Sequence, residues 1–335
     1  TIENVGLYEL SPFSKYELKG EKAYEELQKL CTANIKNEFG KCTYTHMLNE
    51  GAGIETDLTV VCVDKNHFRI ISSAAVRTHD KAHILKHLSK DVEFKDVTDD
   101  LICLGIFGPK SRNLLSQITN EDLSNENFKF GTSKNIKLGS TSVWVQRLSY
   151  VGELGYEIYV QNKYANKIYN LIVEIGKKFK LSHCGAHAMD IMRMESGFLH
   201  WGHDISPEEN QYQAGLNFTI SYKKPFKFIG KENLLKIRDQ KLDKRFVMLV
   251  LEENKPGEPL LLHEEPIYMD DKIIGKTTSG NYSFNYDKNL SFGYINTYLT
   301  NEELIKKNLF IEVEYKKYSA QILLNPLKQN DFKNL

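Results

Sequence analysis

The sequence predicts a chain of mixed helix and strand, in two or three domains, that finishes in a small antiparallel β-barrel or sandwich. Three observations carry this. The 335 residues are ample for a sizeable core and for more than one domain. In the first 240 residues, stretches with apolar residues at helical spacing stand between runs of β-prone residues. Beyond the charged stretch Arg238 to Arg245, which reads as a linker, the apolar residues fall in short runs between Gly, Asn and Asp turns. Those runs are Phe246 to Leu251, Pro266 to Tyr268, Ile273 to Thr278, Leu290 to Ile295, Ile311 to Tyr315 and Ala320 to Leu324.

In chain order, Val5 to Lys19 reads as strand and turn around Ser11-Pro12, and Glu21 to Ile35 as a helix with Tyr24, Leu27, Leu30 and Cys31 on one side. Tyr44 to Val61 reads as two apolar strands around a glycine-bearing turn. Arg77 to Leu88 reads as a helix with His79, His83 and His87 on one face. Metal binding is weighed there against a solvated helix face, and the lack of a nearby acidic or cysteine ligand in the stretch favours the solvated face. Leu101 to Phe107 is an apolar strand, and Gly108-Pro109 opens a helix carrying Leu114, Leu115 and Ile118. Val143 to Tyr150 and Tyr156 to Val160 flank Gly152-Glu153-Leu154-Gly155, which reads as strand, tight turn, strand. Ile168, Leu171, Ile172, Ile175 and Phe179 mark an amphipathic helix, and Cys184 to Gly197 a second helix ended by glycine. Arg193 and Glu195 on it read as structural ion-pair members.

The totals exclude several functions. With 44 basic and 44 acidic side chains the formal charge is zero, so no global field favours nucleic acid or an anionic membrane. A small-molecule partner is expected. The five cysteines are odd in number and form no C-x-x-C pair, which fits reduced thiols in a cytosolic or matrix compartment. No apolar run approaches the ~18 residues of a membrane span, and no signal peptide opens the chain. No G-x-G-x-x-G occurs, so a dinucleotide fold is unsupported. Starting at Thr1 without a methionine, the chain is expected to be processed or part of something longer.

Two carboxylates stand out. Asp57 sits inside an apolar strand beside Leu58 and Val60, where Asp is disfavoured. It either ends a ladder or bonds a turn, or it acts as a carboxylate whose raised pKa lets it exchange a proton with a weakly basic amine. Glu157 points away from Tyr156, Ile158 and Val160 by the strand period of two. It either meets solvent or accepts two parallel hydrogen bonds from a ligand edge with adjacent N–H donors.

The segment Arg147 to Ile158 closely resembles the R-x-x-Y-x-G-E-x-G-Y-E-I segment of the glycine-cleavage T-protein (aminomethyltransferase) superfamily. Tyr44 to Val61 resembles its Y-T-x-M-L-N-x-x-G-G-I-x-x-D-L-T-V motif, with Ala52 in place of the first glycine. Cys184 to Gly197, Trp201-Gly202-His203-Asp204, Phe228-Ile229-Gly230-Lys231 and Phe292-Gly293-Tyr294 resemble further landmarks in family order. Met189, where glycine-cleavage enzymes place arginine, is similar to the tetrahydrofolate-binding C-terminal region of dimethylglycine and sarcosine dehydrogenases. Gln211 and Gln213 depart from the family's proline and glutamate.

The resemblance implies an α+β, three-domain cloverleaf with a central folate channel. Residues 1–240 would form the folate-binding region of two interleaved subdomains, and 245–330 the C-terminal antiparallel β-barrel. It implies tetrahydrofolate as cofactor, Asp57 as the catalytic carboxylate, and Tyr44, Thr59, Tyr150, Glu157, Ile158 and Tyr159 as folate-binding positions, with no metal. The implied reaction captures a methylene iminium from dimethylglycine or sarcosine to give 5,10-methylenetetrahydrofolate. FAD would belong to a partner oxidoreductase domain or subunit outside this chain. The expected compartment is the cytoplasm, or the mitochondrial matrix in a eukaryote. A free-standing folate-dependent demethylase, a glycine-cleavage component and a non-catalytic folate-binding module are the alternatives.

Overall fold

A computed structural model describes residues 1–253, 255–329 and 331–334; Asn330, the last residue of the expected second domain, lies outside them. In chain order the strands of the first part are β1 (Val5–Glu9), β2 (Ser14–Lys19), β3 (Cys42–Leu48), β4 (Ile54–Asp64), β5 (His67–Ser72), β6 (Glu93–Asp96), β7 (Leu101–Phe107), β8 (Ser133–Leu138), β9 (Thr141–Gln146), β10 (Gly155–Gln161) and β11 (Leu181–Cys184). The last part contributes β12 (Lys244–Leu251), β13 (Pro266–Met269), β14 (Lys272–Ser283), β15 (Lys288–Asn296), β16 (Leu309–Val313) and β17 (Lys316–Leu323). The helices are α1 (Ala23–Leu30), α2 (Arg77–His87), α3 (Ser111–Leu115), α4 (Ala165–Gly176), α5 (Ala186–Glu195), α6 (Lys231–Arg238) and α7 (Asn301–Leu304).

These strands make a six-stranded sheet in the order β11-β1-β7-β10-β9-β8, a five-stranded sheet β3-β4-β5-β2-β6, and a closed barrel β12-β15-β14-β13-β16-β17. Every pair is antiparallel except β1 with β11. Alternation decides which face each sheet keeps for itself. In β10, Tyr156, Ile158 and Val160 enter a core with Ile168 and Ile172 of α4. In β4, Leu58, Val60 and Cys62 enter a second core with Leu27 of α1 and Ile84 of α2. Each such side chain, fully buried, contributes about 1.5–3 kcal/mol.

The opposite faces of the two sheets meet each other. Tyr8, Cys103, Trp144 and Tyr159 from the six-stranded sheet cluster with Cys42, Val61 and Ile71 from the five-stranded one. At one edge the sheets cross at Gly40, whose φ is +78 and whose carbonyl accepts from the Ser133 N–H at 2.6 Å. A Cβ there would stand 2.2 Å from the Ser133 carbonyl oxygen, so only glycine allows the crossing.

Several elements differ from the sequence reading. The connection before β10 is no tight turn: β9 ends at Gln146 and β10 begins at Gly155. Arg147 still pairs with the 131–132 backbone, and residues 148–154 leave the ladder as the buried Arg147 guanidinium donates to the Phe128 carbonyl at 2.6 Å and Tyr150 turns toward Leu199. The N-terminal segment gives two strands that join different sheets, and α1 ends at Leu30, before the predicted end. Cys184 closes a short strand, β11, rather than opening α5. The α2 face is less solvated than expected: His79 Nε2 meets Glu55 Oε2 at 3.0 Å, its ring packs on Trp201, and burial pushes the His83 imidazole down to about 4. Ala52 adopts φ +75 while fully buried, a backbone shape that costs a non-glycine residue about 1–2 kcal/mol.

One buried network ties α5 to the barrel. The Arg193 guanidinium donates to Asp204 Oδ2 at 2.6 Å and to Ser279 Oγ at 2.7 Å, and pairs with Asp190 at 2.9 Å. Asp204 also accepts from Thr278 Oγ1 at 2.6 Å, Ser279 Oγ at 2.8 Å and the His200 N–H at 2.9 Å. Glu195, read from sequence as an ion-pair member, instead accepts from Ser283 Oγ at 2.6 Å and from Asn285. Removing Asp204 leaves the buried Arg193 guanidinium with the partly exposed Asp190 as its carboxylate partner and strips Thr278, Ser279 and the His200 N–H of their acceptor. Asp204→Ala is therefore expected to lose about 3–5 kcal/mol in chemical denaturation. A loss below about 1 kcal/mol, the range of an exposed pair, would contradict this reading.

Candidate functional site

The space between the two sheets carries the polar groups. On the five-stranded sheet the register sets Cys42 opposite Val61, Tyr44 opposite Thr59 and His46 opposite Asp57. With side chains alternating, these six share one face, and Cys42 to His46 spans about 13 Å along β3. On the six-stranded sheet Glu157 lies between Gly105 of β7 and Gln146 of β9, and Tyr159 between Cys103 and Trp144.

Asp57 side-chain atoms are 16% exposed. Its Oδ1 is buried and has no hydrogen-bond partner. Burial pushes this carboxyl up to about 7; the Tyr44 hydroxyl nearby pulls the other way and the Asp80 carboxylate adds to the rise. The same carboxylate is felt by Tyr150, whose hydroxyl donates to the Leu199 carbonyl at 3.0 Å and whose ring stacks on Phe198. Tyr44 is 41% exposed, so this end of the face opens to solvent.

Glu157 forms the other polar end. The Tyr159 hydroxyl donates to its Oε2 at 2.8 Å, and burial raises its carboxyl above the usual range. Its charge in turn helps raise the Cys42 thiol to about 12, after burial. The two sheets thus face one another at this point.

The sequence-derived positions fall into two groups. Asp57, Tyr44, Thr59 and Tyr150 gather at one end, and Glu157 with its brace Tyr159 at the other. Ile158 does not join them: its side chain is fully buried in the core on the opposite face of the sheet. Two polar residues of this face, His46 and Gln146, escaped the sequence reading, and Gln211, singled out there as a departure from the family, stands behind the first. His46 is fully buried with Nε2 3.2 Å from the Tyr44 hydroxyl and 3.7 Å from Asp57 Oδ1. Gln211 reaches the other side of that imidazole at 3.1 Å. Gln146, fully buried opposite Glu157, has an amide with no partner on either atom. The alternation of Tyr44 and His46 was a usable signal for His46, whereas Gln211 is 165 residues from its partner. Among the described residues no group of three or more His, Cys, Asp or Glu is placed to hold a metal ion, and no helix is long and apolar enough to cross a membrane.

Known proteins share this fold. Residues 1–224 match the family described as the GCVT N-terminal domain, and residues 244–328 the glycine cleavage T-protein C-terminal barrel domain. The 4-methylaminobutanoate oxidase (formaldehyde-forming) of Paenarthrobacter nicotinovorans is 38% identical over 84% of this chain and 34% of its own length. Mitochondrial dimethylglycine dehydrogenase of Homo sapiens is 33% identical over 97% of this chain and 37% of its own length. The chain therefore spans little more than a third of these relatives. In fold it resembles the glycine cleavage system aminomethyltransferase T of Bartonella henselae, with a TM-score of 0.87 at 21% identity over 98% of this chain and 87% of that one. With both of its parts matched in order, the chain belongs to the glycine cleavage T-protein family of folate-dependent aminomethyltransferases.

Proposed function

We propose that this chain transfers a one-carbon unit from an N-methylated glycine derivative, dimethylglycine or sarcosine, to tetrahydrofolate bound between the two sheets, yielding 5,10-methylenetetrahydrofolate. The observation that carries the reading is the pair of carboxylates at the two ends of one inter-sheet face, each with its own environment. The donor set suits a pterin. Glu157, held through one oxygen by Tyr159, is an acceptor for an edge of adjacent N–H donors, and the unpartnered Gln146 amide beside it offers both a donor and an acceptor.

Bound there, tetrahydrofolate would supply the ring nitrogen and the side-arm nitrogen that take up the carbon. Glu157 fixes the ring's orientation, while Tyr44, Thr59 and Tyr150 line its path toward Asp57. Asp57, poised near neutrality, would take a proton at Oδ1 as the first carbon–nitrogen bond forms, return it to the departing amine, and take up the proton released when the second folate nitrogen closes on the carbon. In its ionised form it also stabilises an approaching iminium cation. Trp144 and Val61, buried at the Glu157 end, shield the contacts of that carboxylate with the ring from water. An FAD-bearing oxidoreductase domain or subunit, suggested by relatives that are dehydrogenases and oxidases of methylated amines, delivers the iminium.

The test is to add the chain and tetrahydrofolate to a flavoprotein oxidising sarcosine or dimethylglycine. The expected outcome is 5,10-methylenetetrahydrofolate at the expense of free formaldehyde. An undiminished formaldehyde yield would refute transfer.

A further inference from the structure

We propose that His46 is a positioning residue for the transfer: its imidazole, anchored from behind by Gln211 and Thr219, holds the Asp57 carboxyl and the Tyr44 hydroxyl in their working places. The inference deepens the proposed function and rests on it for the identity of the reaction, but its geometry stands in the folded chain alone.

The imidazole is fully buried and is gripped from both sides. Its Nδ1 lies 3.1 Å from Thr219 Oγ1 and 3.1 Å from Gln211 Nε2. Gln211 is itself fixed, its two amide protons shared among His46 Nδ1, Thr219 Oγ1 at 2.7 Å and Thr32 Oγ1 at 3.0 Å, and Thr219 passes its proton to the Leu216 carbonyl at 2.7 Å. These anchors come from the 211–219 segment and from Thr32, just beyond the end of α1, on the side of the imidazole away from Asp57. Nε2 is left to face Tyr44 at 3.2 Å and Asp57 Oδ1 at 3.7 Å.

An ionised Asp57 draws the imidazole proton to the nitrogen that faces it. Nδ1 then keeps its lone pair and accepts from the Gln211 amide, and Nε2–H is directed at the Tyr44 hydroxyl and the unpartnered Asp57 oxygen. Burial keeps His46 neutral, with its pKa lowered to about 3, so it acts on Asp57 as an oriented dipole and not as a second charge. The titratable groups that Asp57 meets are Tyr44 and His46 from β3, Asp80 from α2 and Tyr150 from the segment before β10. Of these, His46 alone is bonded on its far side to a neutral, fully buried amide, with the Thr219 hydroxyl oxygen packed beside it.

Two isosteric changes separate this role from packing. Asparagine places its amide where Nδ1 stands and removes the group facing Asp57; glutamine places an amide where Nε2 stands. Carbon-13 NMR of the aspartate carboxyls in the ligand-free chain reads the titration of Asp57 with no folate present. His46→Asn is expected to move that titration up by half a unit or more and to lower kcat about tenfold at nearly constant KM for tetrahydrofolate. His46→Gln is expected to restore both. An unmoved Asp57 titration in folded His46→Asn would overturn the proposal, as would equal behaviour of the two variants. Should His46→Asn fail to fold, Gln211→Leu carries the test: it keeps the imidazole but frees its far side, and an unchanged Asp57 titration there overturns the proposal equally. If the titration moves as expected while neither the intact chain nor His46→Gln transfers carbon, the reaction assigned above is what fails.

Discussion

Asp57→Asn is expected to bind tetrahydrofolate within a few-fold of the intact chain and to lower carbon transfer by about 10² to 10⁴. The amide keeps the size of the carboxyl and its place opposite His46, so the Glu157 end of the face, where we propose that folate binds, is undisturbed. What is lost is the proton exchange and the negative charge. The intact chain should show a rate that changes through pH 7, where burial has placed the Asp57 titration, and the variant should lack that limb. The same shift has a stability consequence with a definite sign. Asp57 binds its proton more tightly folded than unfolded, so its contribution to stability is complete below about pH 4 and is lost as pH rises through 7. Asp57→Asn should therefore be more stable than the intact chain at pH 8 and not at pH 4. The full shift corresponds to at most about 4 kcal/mol, reduced by the 16% of the side chain that meets solvent. Equal stability differences at the two pH values, in thermal denaturation, would show that burial does not hold the carboxyl high.

Glu157→Ala is expected to weaken tetrahydrofolate binding more than a hundredfold. Two charge-assisted hydrogen bonds from one ring edge to one carboxylate are worth about 3 kcal/mol or more together, which is more than two decades in Kd. The loss should also free the Tyr159 hydroxyl, whose partner in the structure is Glu157 Oε2. Tyr159→Phe, removing only that brace, should cost less than the loss of the carboxylate itself. Affinity that falls as far in Tyr159→Phe as in Glu157→Ala would mean that the pair supports the sheet and does not read the ligand.

The parts legible in the sequence are those where one strand or helix settles the matter by itself. Asp57 was visible because a carboxylate inside an apolar strand demands a reason. Glu157 was visible because the period of two sets it against Tyr156, Ile158 and Val160, and those three do enter the core. The same rule places Ile158 in the core face, so the folate position carried over to it by family resemblance has only its backbone to offer on the ligand side. The barrel strands could be read from their alternation, but closure depends on which edges pair, including bulges at Ile267–Tyr268 and Thr277–Ser279, and no single strand encodes that. The loop before β10 was misread because Gly152 and Gly155 have turn chemistry, while the grip of Phe128 on Arg147, 19 residues away, decides its course. Gln146 was opaque for the same reason, and Gln211 was visible as a departure from the family but not its partners: a buried amide takes its meaning from groups that only the fold brings near.

The most direct test of one folate site between the two sheets is an anaerobic calorimetric titration of the intact chain with tetrahydrofolate, with Glu157→Ala as its companion. Saturable one-to-one binding that disappears in the variant is the predicted result. No binding by the intact chain, or binding indifferent to Glu157, would contradict it.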